Sequence, residues 1–465
     1  MIGDDPGTPP PATPAELRRF LEQPLGRPLP LDPAVYNRLR CDVDCHRVLD
    51  LVEATSEAYT LSATIFTALS TVGPLGESES EVSRALNLAA LIDAVFARLQ
   101  ALTGLLPHRV DHDTSDHSSA GGAACIHLRP GFCLWVDDTL VFKGEVKARS
   151  HDMRVAVQEL GSKMGDVWSP IAFGDLPYLP CYAAAGPRLQ YFVVLRDQPH
   201  QPVSISKQFD LSTMADRIEV VHHTVNLFRL LCWGLRPLLP PYPVAVGDVL
   251  KRPNGTTITI LADRVFKRIE DFASNNKGVK YEDLAHVYSV TRHAEGLIHA
   301  AEGPALDVRS GAYTVALAPL GCRRHPANEG ELRRAIQAVL RGVAALHAAG
   351  YVHLDIRWDN VLCIGQGSWV LSDLESVARA PAQAGSGEDG FRAACWTPDT
   401  LDERGVYSTA SDVQLVGRLM ETCSILALGA ECVELKSQLM ASAAASRPSA
   451  EQALRHPWFS ASAAP

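Results

Sequence analysis

The chain of 465 residues has no run of eighteen or more apolar residues, the length that a membrane-crossing helix requires. Its first fourteen residues lack the basic-then-apolar order of a secretory signal and are instead Pro-rich and acidic. A surplus of positive charge is also missing. Lys and Arg number 43 against 53 Asp and Glu, a formal net charge of −10, which argues against wholesale attraction to nucleic acid or an anionic membrane. No basic run of five to eight residues is present to support nuclear import. Cys41 and Cys45 lie four apart beside His46, but no second ligand pair follows at zinc-finger spacing. The eleven cysteines, an odd number without a signal peptide, read as reduced thiols in an intracellular protein, cytoplasmic or nuclear. No internal repeat is evident.

What is present suffices for a sizeable core. Hydrophobic residues make up 46%, and the length suggests two to four domains. Residues 1–14 read as a disordered lead. Residues 15–110 carry helical periodicity, as in Leu88, Leu91, Ile92, Val95, Leu99 and Leu102. A polar, small-residue linker follows at 111–122. Residues 120–236 then alternate strand-like and helical runs, as a small α/β domain would. Two strands, Cys125 to Val136 and Thr139 to Val146, are joined by the turn Asp137-Asp138. Pro237, Pro240, Pro241 and Pro243 mark a boundary, because proline resists continuation of helix or sheet. Beyond it, 244–320 reads as short strands around one helix and 328–460 as mainly helical. The fold class expected is therefore multidomain α+β.

The chemistry centres on one loop. Leu332, Ala335, Ile336, Val339, Leu340, Val343 and Leu346 form an apolar stripe at helical spacing, and Gly350 sits where a C-cap would. His353-Leu354-Asp355 follows, with Asn360 five residues after Asp355 and Asp373 thirteen residues after Asn360. Phosphoryl transfer needs a carboxylate to orient the attacking hydroxyl and oxygen ligands to hold Mg²⁺ against the phosphates. An Asp, an Asn and a second Asp on a following hairpin can supply both, and Mg²⁺ prefers such ligands.

These residues resemble the eukaryotic-like protein kinases. Asp355 matches the catalytic-loop Asp, Asn360 the metal-binding Asn and Asp373 the Asp that opens the magnesium motif. Trp396-Thr397-Pro398-Asp399, Ser411 to Gly417, Arg447-Pro448-Ser449 and His456-Pro457-Trp458-Phe459 resemble later family landmarks in order and spacing. The resemblance implies a bilobal protein-kinase-like fold over 244–460 that binds ATP and Mg²⁺. Upstream, Arg264 to Ile269 resembles the family's Val-Ala-Ile-Lys, so Lys267 would touch the α- and β-phosphates. Glu282 on the next helix would be its partner, with Asp283 the nearest rival. Leu317, in the hinge stretch Ala316 to Gly321, and Gly255, in what remains of the glycine-rich loop, would also meet the nucleotide.

The departures from the pattern are specific. Leu354 replaces the Arg that pairs with a phosphorylated activation loop, which argues against that regulation rather than against catalysis. Arg357 stands where a Lys neutralises the γ-phosphate. Leu374-Glu375 replaces Phe-Gly, and Glu375 adds a charge beside Asp373 that could recruit metal or repel phosphate.

In the middle domain, Glu145-Val146-Lys147 closes a hydrophobic strand, and alternation puts Glu145 and Lys147 on one face. This resembles the restriction-endonuclease-like superfamily, in which a Pro-Asp pair precedes Glu-x-Lys. Gly131 stands where the first Asp should be, so a degenerate nuclease-like domain is expected, with nucleic acid as its conceivable partner. A helical region, a nuclease-like domain and a C-terminal kinase in that order resemble the Crinkler-type effectors and the fungal-type kinase proteins. Three functions stand open: an atypical Ser/Thr-type protein kinase with an unknown protein substrate, a pseudokinase acting as an interaction protein, and a metal-dependent nuclease. No membrane partner is expected.

Overall fold

A computed structural model describes residues 10–56, 59–71, 88, 91–112, 131–164, 168–240, 243–244, 246–252, 255–261, 263–275, 279–365, 367–383, 395–425 and 427–460. The first nine residues of the expected lead, the linker from 113 on and Cys125, where the first strand of the middle domain is expected to start, lie outside them. The protein is a mixed α and β molecule whose chain divides into two compact units. The first takes the chain up to Trp168 together with Leu176–Leu239, and the second takes Ser169–Asp175 together with everything from Pro240.

In the first unit the helical N-terminal stretch and the α/β stretch share one body. The helices Pro14–Glu22, Pro33–Cys41, Tyr59–Thr71 and Asp93–Thr103 come first, with a small parallel pair of β1 (Leu29–Leu31) and β2 (Val52–Ala54) among them. Thr13 begins the first helix with a reciprocal capping box to Glu16. A seven-stranded sheet follows, in the order β3 (His108–Asp111), β4 (Phe132–Val136), β5 (Thr139–Lys147), β6 (Tyr178–Ala185), β7 (Arg188–Leu195), β8 (Gln198–Ser204), with β9 (Phe209–Asp210) also on β7. Within this sheet, among the described residues, only β5 and β6 pair in parallel, and the helix Met153–Ser162 lies between them in sequence, as a parallel crossover demands. Asp137 and Asp138 both take positive φ, 48° and 59°, and so close the β4–β5 hairpin in the mirror-image turn that matches strand twist. The helix Met214–Arg229, continued as a wider turn over Leu230–Leu235, is buried on nearly every side. The amide of Asn226 donates to the carbonyls of Leu21 and Gln23, tying the N-terminal segment to it.

The second unit has a strand-rich half and a helix-rich half. The first half is an antiparallel sheet ordered β10 (Val249–Lys251), β11 (Thr256–Ile260), β12 (Val265–Ile269), β14 (Tyr313–Ala318), β13 (His299–Leu306), with the helix Tyr281–Val290 between β12 and β13 in sequence. The second half is built on the helix Glu329–Ala348, N-capped by Asn328, whose stripe from Leu332 to Leu346 is fully buried. The helices Thr409–Glu421, Ala430–Leu439 and Ala450–Ala453 belong to the same half. β15 (Cys322–Arg323) joins the hairpin of β17 (Val361–Gly365) and β18 (Ser368–Leu371), while β16 (Tyr351–Val352) enters the loop of interest. Gly296 holds this arrangement close. Its φ is +81°, and an added Cβ would lie 1.9 Å from the Ala338 carbonyl oxygen, so only glycine lets residues 296–298 pass the long helix and bond to Leu371.

The residues Ser169–Asp175, which interrupt the first unit in sequence, are part of this second body. Ile171 packs with Ile260 and Leu320, and Val244 donates its amide to the Ile171 carbonyl. Asp175 accepts from Arg324 at 2.7 Å, and Arg324 also binds Glu331 at 2.6 Å. No described helix is long and apolar enough to cross a membrane.

Candidate functional site

The loop after β16 is fixed by one buried aspartate. Asp412, at the start of the helix Thr409–Glu421, accepts the backbone amides of His353 at 2.8 Å and Leu354 at 3.2 Å. It also accepts from the Tyr407 hydroxyl at 2.6 Å and from His347 Nε2 at 3.0 Å. Burial opposes its ionisation, but these hydrogen bonds and the nearby histidines override burial and hold its carboxyl below the ordinary value. Leu354 is buried with φ of +70°, a left-handed conformation that costs a branched residue roughly 1–2 kcal/mol. The two bonds to Asp412 and the bond from Trp396 Nε1 to the Leu354 carbonyl, 2.7 Å, maintain it. His353 is buried too. Its Nδ1 accepts from the Asp355 amide and its Nε2 donates to the Ser372 carbonyl, which sets the tautomer and ties the loop to β18.

Asp355 and Asn360 meet as their spacing suggests. The Asn360 amide nitrogen donates to the Asp355 carboxylate at 2.9 Å and to its carbonyl at 2.8 Å. Arg357 Nε lies 3.2 Å from the other Asp355 oxygen, so the loop arginine is held on the loop aspartate. Ser372 donates from its amide and its hydroxyl to the Asn360 carbonyl, and this brings Asp373 beside Asn360. Asp373 itself is left-handed, φ 66° and ψ 53°, an unusual backbone of the kind found where structure is held for a purpose.

Lys267 on β12 is buried and bonds two acids, Asp373 at 2.6 Å and Glu375 at 2.7 Å. Both raise its pKa against the cost of burial. Asp373 is held well below the carboxylate range, chiefly by the Lys267 charge. Glu375 is pushed up by burial, with Lys267 opposing. The remaining Glu375 oxygen accepts from the Tyr288 and Tyr313 hydroxyls at 3.3 and 3.5 Å. One ammonium is shared between the two acids, and the Arg252 charge also acts on Asp373.

The cluster opens onto a cavity of about 350 Å³. Leu250, Ile258, Val265, Leu317 and Leu362 make its apolar walls, and Lys267, Asn360, Ser372 and Asp373 its polar end. Ile171 and Val244 also line it, as do two arginines, Arg252 before the β10–β11 turn and Arg323 on β15. A deep apolar slot with convergent cations and hard oxygens suits a planar base carrying phosphates. The oxygens of Asp373 and Asn360 are of the kind that hold Mg²⁺.

Other sequence candidates fall elsewhere. Glu282 is exposed on the helix Tyr281–Val290, and the acids on Lys267 come instead from the segment after β18. Asp283 is taken by Arg379 at 2.7 Å and by the Tyr351 hydroxyl at 3.3 Å. Gly255 has φ of +75° and turns the β10–β11 hairpin, but its neighbours are Asn275 and Glu270, away from the cavity lining. Asp399 is exposed, and only its carbonyl meets Arg447, at 2.7 Å. Tyr288, Arg252, Arg323 and Ile171 carried no signal in the chain, since each reaches the site through tertiary approach alone.

In the first unit Lys143, Glu145 and Lys147 share one face of β5. Gly144 fills the other, where a Cβ would strike the Tyr182 ring at 2.1 Å. Glu145 is buried and accepts from Lys163 at 2.8 Å, while Glu159 binds both Lys163 and Lys147 at 2.9 Å. Burial raises the Glu145 pKa against the pull of Lys163. Gly131 lies beside Glu145, its Cβ position 3.7 Å from the carboxylate, so the neighbouring place holds no second acid. Among the described residues no group of three or more His, Cys, Asp or Glu is placed to hold a metal.

No protein-family model matches the chain. It is similar to Crinkler effector protein 8 of Phytophthora infestans, 29% identical over 357 residues. That alignment covers 74% of this chain and 55% of the relative, so the chain spans about half the length of the curated protein it matches.

Proposed function

We propose that the second unit is an atypical protein kinase that moves the γ-phosphoryl group of ATP to Ser or Thr hydroxyls of a protein, and that the chain acts as an effector of the Crinkler kind. The observation that carries this reading is the convergence of Lys267, Asn360 and Asp373 on one cavity, with Asp355 bonded to Asn360. The strand-rich half above this cavity and the helix-rich half below support a protein-kinase-like fold. The likeness to an effector protein supports the effector role.

In this reading the apolar walls take the adenine, with Leu250 and Val265 above and Leu362 below. Lys267, Arg252 and Arg323 neutralise phosphate charge, replacing the backbone cradle that a run of glycines would give. Asp373 and Asn360 would hold Mg²⁺, which when bound supplies charge neutralisation at the phosphates. Asp355 orients the acceptor hydroxyl and takes up its proton. Arg357, now on Asp355, stands close enough to turn toward the transferred group. ATP as donor fits an intracellular site of action.

A nuclease role for the first unit is disfavoured by Lys163, whose ammonium occupies the Glu145 carboxylate. The kinase reading is tested with γ-labelled ATP and the purified chain. Label should pass to the chain or a generic protein substrate, and an Asp355→Asn variant should transfer about a thousandfold less. Equal labelling by that variant would remove the role of Asp355.

A further inference from the structure

Glu375 occupies the position from which a charge beside the magnesium motif could either recruit metal or repel phosphate. Its surroundings indicate a third task. It is buried, 4% exposed, and one oxygen bonds Lys267 at 2.7 Å. The other accepts from two tyrosine hydroxyls, Tyr288 on the helix and Tyr313 on β14. The residue thus faces the lysine, the neighbouring Asp373 carboxyl and the protein interior, and it is absent from the cavity lining, which Asp373 reaches. The helix Tyr281–Val290, which by the kinase resemblance should present the acid, gives Lys267 none. Glu282 is exposed and Asp283 is committed to Arg379 and Tyr351.

We infer that Glu375 is the anchor of Lys267, a positioning residue that does the work assigned to a helix-borne acid. This rests on the kinase reading of the site. Lys267 holds Asp373 and Glu375 together. Were Asp373 to hold a metal, Lys267 would be left with one of its two acids. Glu375 remains, fixed by Tyr288 and Tyr313, and keeps the ammonium directed into the cavity. Anchor and metal-binding aspartate sit two residues apart on one short segment, with Leu374 between them fully buried. The assembled state therefore depends on the seating of residues 373–375, and the helix contributes a hydroxyl rather than a charge.

The test separates this inference from the kinase reading. In the nucleotide-free chain, urea denaturation of Lys267→Met, Glu375→Gln and their double variant should be non-additive, because either change strands the other partner. The same cycle with Glu282→Gln should be additive. In transfer assays corrected for folded protein, Glu375→Gln should lower kcat by roughly a hundredfold, the scale of losing one placed charge contact, while KM for ATP moves by less than about tenfold. Glu375→Asp, which keeps the charge, should recover part of that loss, and Glu282→Gln should change nothing. Additive denaturation of the Lys267 and Glu375 variants, or a Glu375→Gln chain with unaltered kcat, would overturn the assignment. A failure of the unaltered chain to bind ATP would remove the kinase reading, and the denaturation cycle would still decide the Lys267–Glu375 pairing.

Discussion

Each of the two units buries a cluster of lysines and carboxylates, and the two clusters are balanced differently. In the first unit Glu145 and Glu159 are matched by Lys147 and Lys163, with Lys143 close by. The acids are neutralised from within. In the second, a single Lys267 serves Asp373 and Glu375, and the cluster faces a cavity that also holds Asn360. Acids already held by their own lysines have no electrostatic need of a metal ion. Two acids that share one lysine, beside a cavity lined also by Arg252 and Arg323, leave room for a ligand that brings charges of both signs, as a cation with its phosphates does. Similar residue types thus yield a structural core in one place and a candidate active site in the other.

The comparison can be broken most forcefully at the loop. Asp355→Asn should reduce label transfer about a thousandfold with little change in ATP affinity, as followed by initial rates across ATP concentrations. In the first unit, Lys163→Met should leave transfer intact but destabilise the fold by about 3–5 kcal/mol, because it strands a buried Glu145. Pairing it with Glu145→Gln should restore most of that loss, which denaturant midpoints will register. An unaffected midpoint in Lys163→Met would show that the cluster is not a structural one.

Acid should act on the first unit through two buried histidines. Burial lowers His222 to about 4 and His223 to about 3. Their folded values lie below the unfolded value near 6.5, so the unfolded chain binds more protons between the two. Stability should therefore fall as pH drops from about 6.5 and stop falling on this account below the folded values. At most, His222 contributes roughly 3 kcal/mol to this loss and His223 roughly 5 kcal/mol. His222→Gln should flatten the dependence in urea unfolding measured from pH 7 to 4. The smallest effect sharpens the second cluster: Arg252→Ala should weaken ATP binding several-fold and leave kcat nearly unchanged, since the guanidinium would contact phosphate in ground and transition states alike. A lowered kcat at constant affinity would place Arg252 in the chemistry instead.

Much of the second unit was legible because its signals are local. Asp355, Asn360 and Asp373 are separated by one loop and one hairpin, so their spacing in the chain nearly dictates their spacing in space. Lys267 was marked by alternation along β12, and the long helix before the loop by its stripe. Glu375 was visible as a departure but its task was not, because its partners lie 108, 87 and 62 residues away in sequence. Glu282 illustrates the converse. The kinase resemblance named an acid on the next helix, but the rotation of that helix exposes it and presents Tyr288 instead. In the first unit, β6 and β8 escaped notice since Pro180, Pro199 and Pro202 and a run of alanines carry little strand propensity. The union of the N-terminal helices with the α/β stretch depends on contacts such as Asn226 to Leu21, over 205 residues, which no local pattern records.

The most direct test of the central claim is Mg²⁺-dependent ATP binding by the unaltered chain and by Asp373→Ala, measured by calorimetry with and without the metal. The predicted result is binding that strengthens with Mg²⁺ in the unaltered chain and loses that dependence in the variant. Equal, metal-independent behaviour of the two proteins, or no binding by either, would contradict it.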